Sequence, residues 1–96
     1  MKAITTIRNL RFPLGQTVAT PAALAEFPPE EILEALRRHA SGDWKEMDPH
    51  DQKQNERAAE TGEGRILSAY TLAHGRLWVI TEADRSVTTI LRPEDY

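Results

Sequence analysis

The last third of the chain constrains the fold most, because the spacing of its apolar residues changes there from helical to alternating. Three segments have the alternation or the β-branched and aromatic content of strands, at residues 65–72, 77–81 and 86–91. Tight-turn signals separate them, His74 with Gly75 and then Asp84 with Arg85. The pattern predicts a three-stranded antiparallel β-meander over residues 65–92.

Helix start and stop signals precede the meander. A capping residue before a proline, or a proline before glutamates, marks a helix start, and such starts occur at Thr20, Pro29 and Asp48. Gly42 and Gly62 are typical of helix ends. We therefore predict helices at residues 21–25, 29–41 and 49–61.

Together these elements predict an α+β fold of two to three helices followed by the antiparallel meander. The 96 residues suit a single domain. Its expected parts are an N-terminal arm or strand in residues 1–20, a helical part in 21–61 and the meander in 65–92. Residues 4–10 could form a short strand or an arm, and residues 16–19 a short extended piece.

Composition narrows the classes of function. Cysteine is absent, which excludes a disulfide framework, a thiolate zinc site and a cysteine nucleophile. No apolar run is long enough for a signal peptide or a membrane span, so we expect a cytoplasmic protein without a membrane partner. The net charge is −3, and residues 26–60 hold ten acids against five bases. This balance disfavours nucleic acid and favours a protein partner, and we expect no cofactor and no metal.

A row of hydroxyl groups is predicted on one face of the meander. If both turns are two-residue hairpins, Tyr70, Val79 and Ile90 align across that face, with Ser68, Thr81 and Thr88 beside them. Such hydroxyls near arginine could bind phosphate or an RNA backbone. The candidate residues of this site are Arg65, Ser68, Tyr70, Thr81, Thr88 and Arg92. The alternative, which we favour, is that the hydroxyls only pair across strands, because no general base accompanies them. We therefore assign no catalytic residue.

A second candidate site is an acidic interface around a tryptophan. Its residues are Trp44, Asp43, Glu46 and Asp48. Large aromatic residues dominate interfaces as well as cores, so Trp44 could contact a partner or anchor the third helix to the body.

Several segments resemble a family of short bacterial proteins that are labelled plasmid-related or hypothetical and occur on mobile elements. The resemblance lies in residues 12–16 (FPLGQ), 19–21 (ATP), 42–44 (GDW), 65–70 (RILSAY) and 77–96, and it is most specific in residues 78–86 (WVITEADRS). It implies a bacterial, cytoplasmic accessory protein. It carries over no activity and no site residue.

Three functions follow as hypotheses. The first is a non-enzymatic protein-interaction or inhibitor module of a mobile element, supported by the acidic helical part and the missing catalytic constellation. The second is a small RelE-like ribonuclease toxin, by analogy of architecture alone. The third is a role of the exposed sheet face in binding a small ligand or in self-association, and the latter would give a homodimer.

Overall fold

The computed structural model describes residues 10–96, which form three helices and a four-stranded sheet. In chain order the elements are β1 (Gln16–Ala19), α1 (Pro21–Glu26), α2 (Pro29–Ser41), α3 (Pro49–Thr61), β2 (Ile66–Leu72), β3 (Gly75–Thr81) and β4 (Val87–Leu91), and a 3₁₀ turn follows at Pro93–Asp95. The α+β class and the three helices are confirmed. The strand or arm predicted at residues 4–10 falls almost entirely outside the described residues.

Capping side chains mark the starts of two helices, and glycines mark the ends of two. The side chains of Thr20 and Asp48 each accept the backbone N–H three residues later, at 3.1 Å and 2.9 Å. They satisfy donors that have no partner inside the first helical turn. Gly42 and Gly62 follow α2 and α3 with φ of 81° and 78°, a left-handed conformation that favours glycine.

The predicted antiparallel meander is present as β2, β3 and β4, but β1 adds a fourth strand that makes the whole sheet mixed. The strand order is β1-β4-β3-β2, and β1 pairs in parallel with β4. Gly15 makes this pairing feasible, because its φ is +65° and a Cβ there would lie 2.3 Å from the carbonyl oxygen of Ser86. The three helices connect β1 to β2, and these two strands lie at opposite edges of the sheet.

The predicted strand register is right for one hairpin and wrong for the other. Val79 lies opposite Ile90 as predicted, whereas Tyr70 lies opposite Leu77 instead of Val79. The first turn consists of residues 73 and 74, and Glu31 of α2 holds it by accepting the His74 backbone N–H at 3.2 Å. Because the shift is two residues, every side chain stays on its predicted face.

The helices cover one face of the sheet in two apolar clusters. The larger cluster joins Tyr70, Leu77, Val79 and Ile90 to Ala23, Phe27, Ala35 and Leu36. The smaller cluster contains Phe12, Trp44, Ala58 and Ile66. On β2, Ser68 stands between residues of the two clusters. On the other face, the ring of Tyr96 packs edge-on to Trp78 at 5.6 Å.

Within residues 10–96, none of the helices has the length and apolar character needed to cross a membrane.

Candidate functional site: a buried polar chain, an occupied acidic segment and an open groove

The hydroxyl row predicted from the sequence does come together, but it lies in the interior. Ser68, Thr81 and Thr88 have no exposed surface, and neither has His39, which reaches down from α2. His39 Nδ1 lies 2.6 Å from Ser68 Oγ, and its Nε2 lies 2.8 Å from Thr81 Oγ1. Thr81 Oγ1 is in turn 2.7 Å from Thr88 Oγ1. These four side chains form a continuous polar chain beneath α2.

The groups at the two ends of this polar chain determine the direction of every hydrogen bond within it. Thr88 donates its hydroxyl proton to the carbonyl of Leu14 at 2.6 Å, because a carbonyl can only accept. Thr81 must then donate to Thr88, and His39 Nε2–H must donate to Thr81. His39 Nδ1 is left as the acceptor for the Ser68 hydroxyl, and Ser68 accepts from Trp44 Nε1–H at 2.8 Å. The neutral Nε2–H form of His39 therefore satisfies all these groups.

Burial keeps His39 in that neutral form. Desolvation lowers the pKa of the imidazole from 6.5 to about 3. The ring of Phe12 lies edge-on to the imidazole at 5.2 Å. A general base needs a free nitrogen within reach of a substrate, whereas both nitrogens of His39 are bonded inside the protein. The arrangement supports a structural role, although within residues 10–96 only Thr81 and Thr88 of the row pair across strands as the favoured interpretation expected. Sequence reasoning missed His39, although it shares the inward stripe of Leu36 and Ala40 on α2.

The other three residues of the predicted sheet-face site do not share an exposed surface with these hydroxyls. They are Tyr70, Arg65 and Arg92. Tyr70 is buried and donates its hydroxyl to the carbonyl of Asp43 at 2.8 Å. Arg65 is exposed and donates to the hydroxyl of Tyr96. Arg92 binds Asp95 at 2.7 Å and also Glu26. The groups that the ribonuclease alternative requires therefore have separate partners.

Trp44 lies in the core, so the structure places it in the anchoring role and away from the surface where a partner would bind. It is 3% exposed, and its indole N–H is used by Ser68. Asp48 is occupied as the cap of α3.

Arg38 occupies the two other acids of the predicted interface. Its Nε donates to Asp43 at 2.7 Å and its Nη2 to Glu46 at 3.0 Å. Partial burial would raise the pKa of both carboxyl groups, but their hydrogen bonds, including those from Arg38, bring the pKa below its ordinary value. The guanidinium also lies over the ring of Tyr70, 4.5 Å from its centroid. The carboxylates of Asp43 and Glu46 are thus already bound by a cation of the same protein.

The two edges of the sheet differ in how they are covered. Along β2, the Asn55 amide accepts the Leu67 N–H at 3.4 Å and donates to the Leu67 carbonyl at 2.9 Å. Glu46 accepts the N–H of Thr71 at 3.0 Å. Side chains thus take the place of a further strand on this edge, as proteins commonly do to prevent edge-to-edge pairing.

The outer edge of β1 is open within residues 10–96, where no strand pairs with it. Gln16 and Thr20 donate their N–H groups inward, to the carbonyls of Ser86 and Ile90. Because backbone groups alternate along a strand, the N–H groups of Thr17 and Ala19 point to the open side.

An apolar groove of about 390 Å³ runs along β1. Its walls come from β1, α1 and the first half of α2, and they include Val18, Leu24, Phe27, Ile32 and Leu33. Leu24 is 60% exposed and Val18 38%. The volume of the groove lies in the usual range of pockets that bind small ligands. The sequence predicted a protein partner but did not point to this surface.

Comparison with protein-family models, curated proteins and solved structures finds no match for this chain. Within residues 10–96, no three histidine or acidic side chains are placed to hold a metal ion together.

Proposed function

We propose that the protein is a non-enzymatic interaction module that binds an extended segment of a partner protein in the groove beside β1. The observation that carries this proposal is the open strand edge that lies directly along an apolar groove. The sequence resemblance implies an accessory protein of a mobile element as the biological setting, and an inhibitor role is one form that such a module can take.

Strand addition matches the chemistry of this edge. An incoming strand can form main-chain hydrogen bonds with the outward groups of Thr17 and Ala19, and its alternate side chains can enter the groove. Leu24 and Val18 would then be covered, which removes the most exposed apolar surface of this region from water. Main-chain bonds would provide affinity, and the apolar walls would select the side chains.

Charge favours a partner segment with basic residues beside its apolar anchors. Of the four glutamates in α1 and α2, Glu26 pairs with Arg92, Glu34 pairs with Arg38, and Glu31 binds His74. Glu30 is exposed next to Pro29, which lines the groove. Glu30 forms no ion pair with any residue in 10–96, so its carboxylate would raise the association rate of a basic partner and make binding weaker at high salt.

The test begins with a displayed library of random peptides of about ten residues, from which binders to the full chain are selected. Fluorescence anisotropy then measures the Kd of each peptide for the wild-type protein and for Leu24→Asp. We expect Leu24→Asp to raise the Kd by about tenfold or more, because a charge replaces an apolar wall. Leu10→Asp is the matched control, since Leu10 is 51% exposed and is not part of the groove.

Backbone pairing has its own readout. Each selected peptide is made in two methylated versions, one with methyl groups on the amide nitrogens of odd positions and one with them on even positions. Only one of the two versions should lose binding, because only one set of N–H groups faces β1. The proposal fails if no selected peptide is sensitive to Leu24→Asp, or if Leu10→Asp weakens binding equally.

A further inference from the structure

We infer that the cleft between α3 and the loop before β2 binds a small phosphorylated molecule. This cleft has a volume of about 720 Å³ and is separate from the groove beside β1. Its basic side chains are Lys53, Arg57 and Arg65, and its polar lining includes His50, Gln54 and Thr61. The volume is in the range of pockets that hold small ligands.

Helical spacing brings the basic groups to one wall. Lys53 and Arg57 are four residues apart and therefore lie one turn from each other on the same side of α3. The inward side of the helix carries Asn55 and Ala58, which are buried against the sheet. Arg65 enters the cleft from the other wall, at the start of β2.

The cations of this cleft differ from the paired arginines elsewhere in the protein. Arg11, Arg38 and Arg92 each form an ion pair with carboxylates. Lys53 and Arg57 form none with any residue in 10–96, and both are exposed.

Within residues 10–96, Arg65 donates its side-chain hydrogen bond to a neutral group, the hydroxyl of Tyr96. Among the described residues that line the cleft, Glu63 is the one carboxylate. The cleft therefore keeps an excess of positive charge in a chain whose net charge is −3.

These groups favour phosphate as the anion. A guanidinium offers a planar pair of donors that matches phosphate oxygens, and lysine adds a point charge. The surroundings limit the size of the ligand, because Glu63 lies in the lining and Asp51 lines the adjoining depression beside Arg65. A long nucleic-acid strand would meet these acids, whereas a nucleotide or a sugar phosphate fits inside the cleft.

The experiment is a titration of the ¹⁵N-labelled full chain with inorganic phosphate, ADP and a short single-stranded RNA. Amide shifts report the location, and calorimetry reports the Kd. We expect ADP to shift the amides of α3 and of residues 61–65, and Arg57→Gln to weaken binding by about tenfold or more. Arg37→Gln is the matched control, because Arg37 is exposed on α2 and is not part of the cleft. It should leave the Kd unchanged.

Three results would overturn the inference. The first is that neither ADP nor phosphate shifts these amides at about 10 mM, because the Kd would then be too high for a specific binding site. The second is equal weakening by Arg37→Gln, which would indicate unspecific charge attraction. The third is RNA binding far tighter than ADP binding, which would assign the surface to nucleic acid. None of these outcomes depends on peptide binding at β1.

Discussion

Replacing His39 by glutamine tests whether the buried polar chain contains a neutral imidazole. Glutamine offers an amide donor for Thr81 and an amide acceptor for Ser68, so it can keep the polar chain connected. It does not titrate. Wild-type protein and His39→Gln should therefore differ mainly in how their free energies of unfolding depend on pH.

The sign and size of the difference follow from the pKa of His39. Burial lowers this pKa to about 3 in the folded protein, whereas the ordinary value is 6.5. The unfolded chain therefore binds a proton first as the pH falls. The free energy of unfolding is unaffected well above pH 6.5 and decreases by about 1.4 kcal/mol per pH unit between 6.5 and 3. Between pH 6.5 and 5 the loss amounts to about 1.5 kcal/mol. Ser68 and Thr81, which are hydrogen-bonded to the imidazole, and Phe12, which packs edge-on to it, carry no charge.

Urea unfolding at several pH values between 5 and 7.5 measures this effect. Carboxyl groups with ordinary pKa values near 4 remain largely ionised in this window, so they contribute little to the difference. The wild-type protein should lose about 1.5 kcal/mol more than His39→Gln as the pH falls from 6.5 to 5. Near-identical amide spectra at pH 7.5 would establish that the variant keeps the fold. Equal pH dependence of the two proteins, or titration of His39 near 6.5 in the folded state, would refute the reasoning.

Two further substitutions probe the side chains that link the helices to the sheet. Trp44→Phe removes the N–H donor to Ser68. We therefore expect the free energy of unfolding, measured in urea, to drop by about 1–2 kcal/mol. If the variant were as stable as the wild type, the buried hydrogen bond would contribute nothing. Asn55→Ala uncovers the Leu67 backbone on the edge of β2, so we expect about 2 kcal/mol of destabilisation and concentration-dependent association by light scattering. A fully stable monomer at high concentration would contradict the edge-covering role of Asn55.

Short-range signals predicted the helices because their causes are local. Thr20 and Asp48 cap helices through bonds to amides only three residues away, and such bonds can be read from sequence spacing. The faces of the strands were also predictable, since alternation has a period of two. The register of the first hairpin was not, because Glu31, which lies 43 residues from His74, helps to hold the turn.

The candidate sites depended far more on tertiary structure. Residue types alone identified Ser68, Thr81 and Thr88 as a row, but burial and the arrival of His39 made this row an interior chain. The acidity of residues 43–48 was visible in the sequence, yet Arg38 occupies Asp43 and Glu46 through side-chain contacts. A charge count cannot show which charges are already paired.

The sequence by itself determined where the helices begin and end, which strand residues share a face, and that no cysteine chemistry is available. Only the tertiary structure decided that β1 lies beside β4, that Trp44 is internal, and which polar groups are paired with one another within residues 10–96. The physical reason is the distance along the sequence over which each kind of interaction acts. Backbone hydrogen bonding and side-chain period act over a few residues, whereas burial and ion pairing depend on groups that only folding brings together.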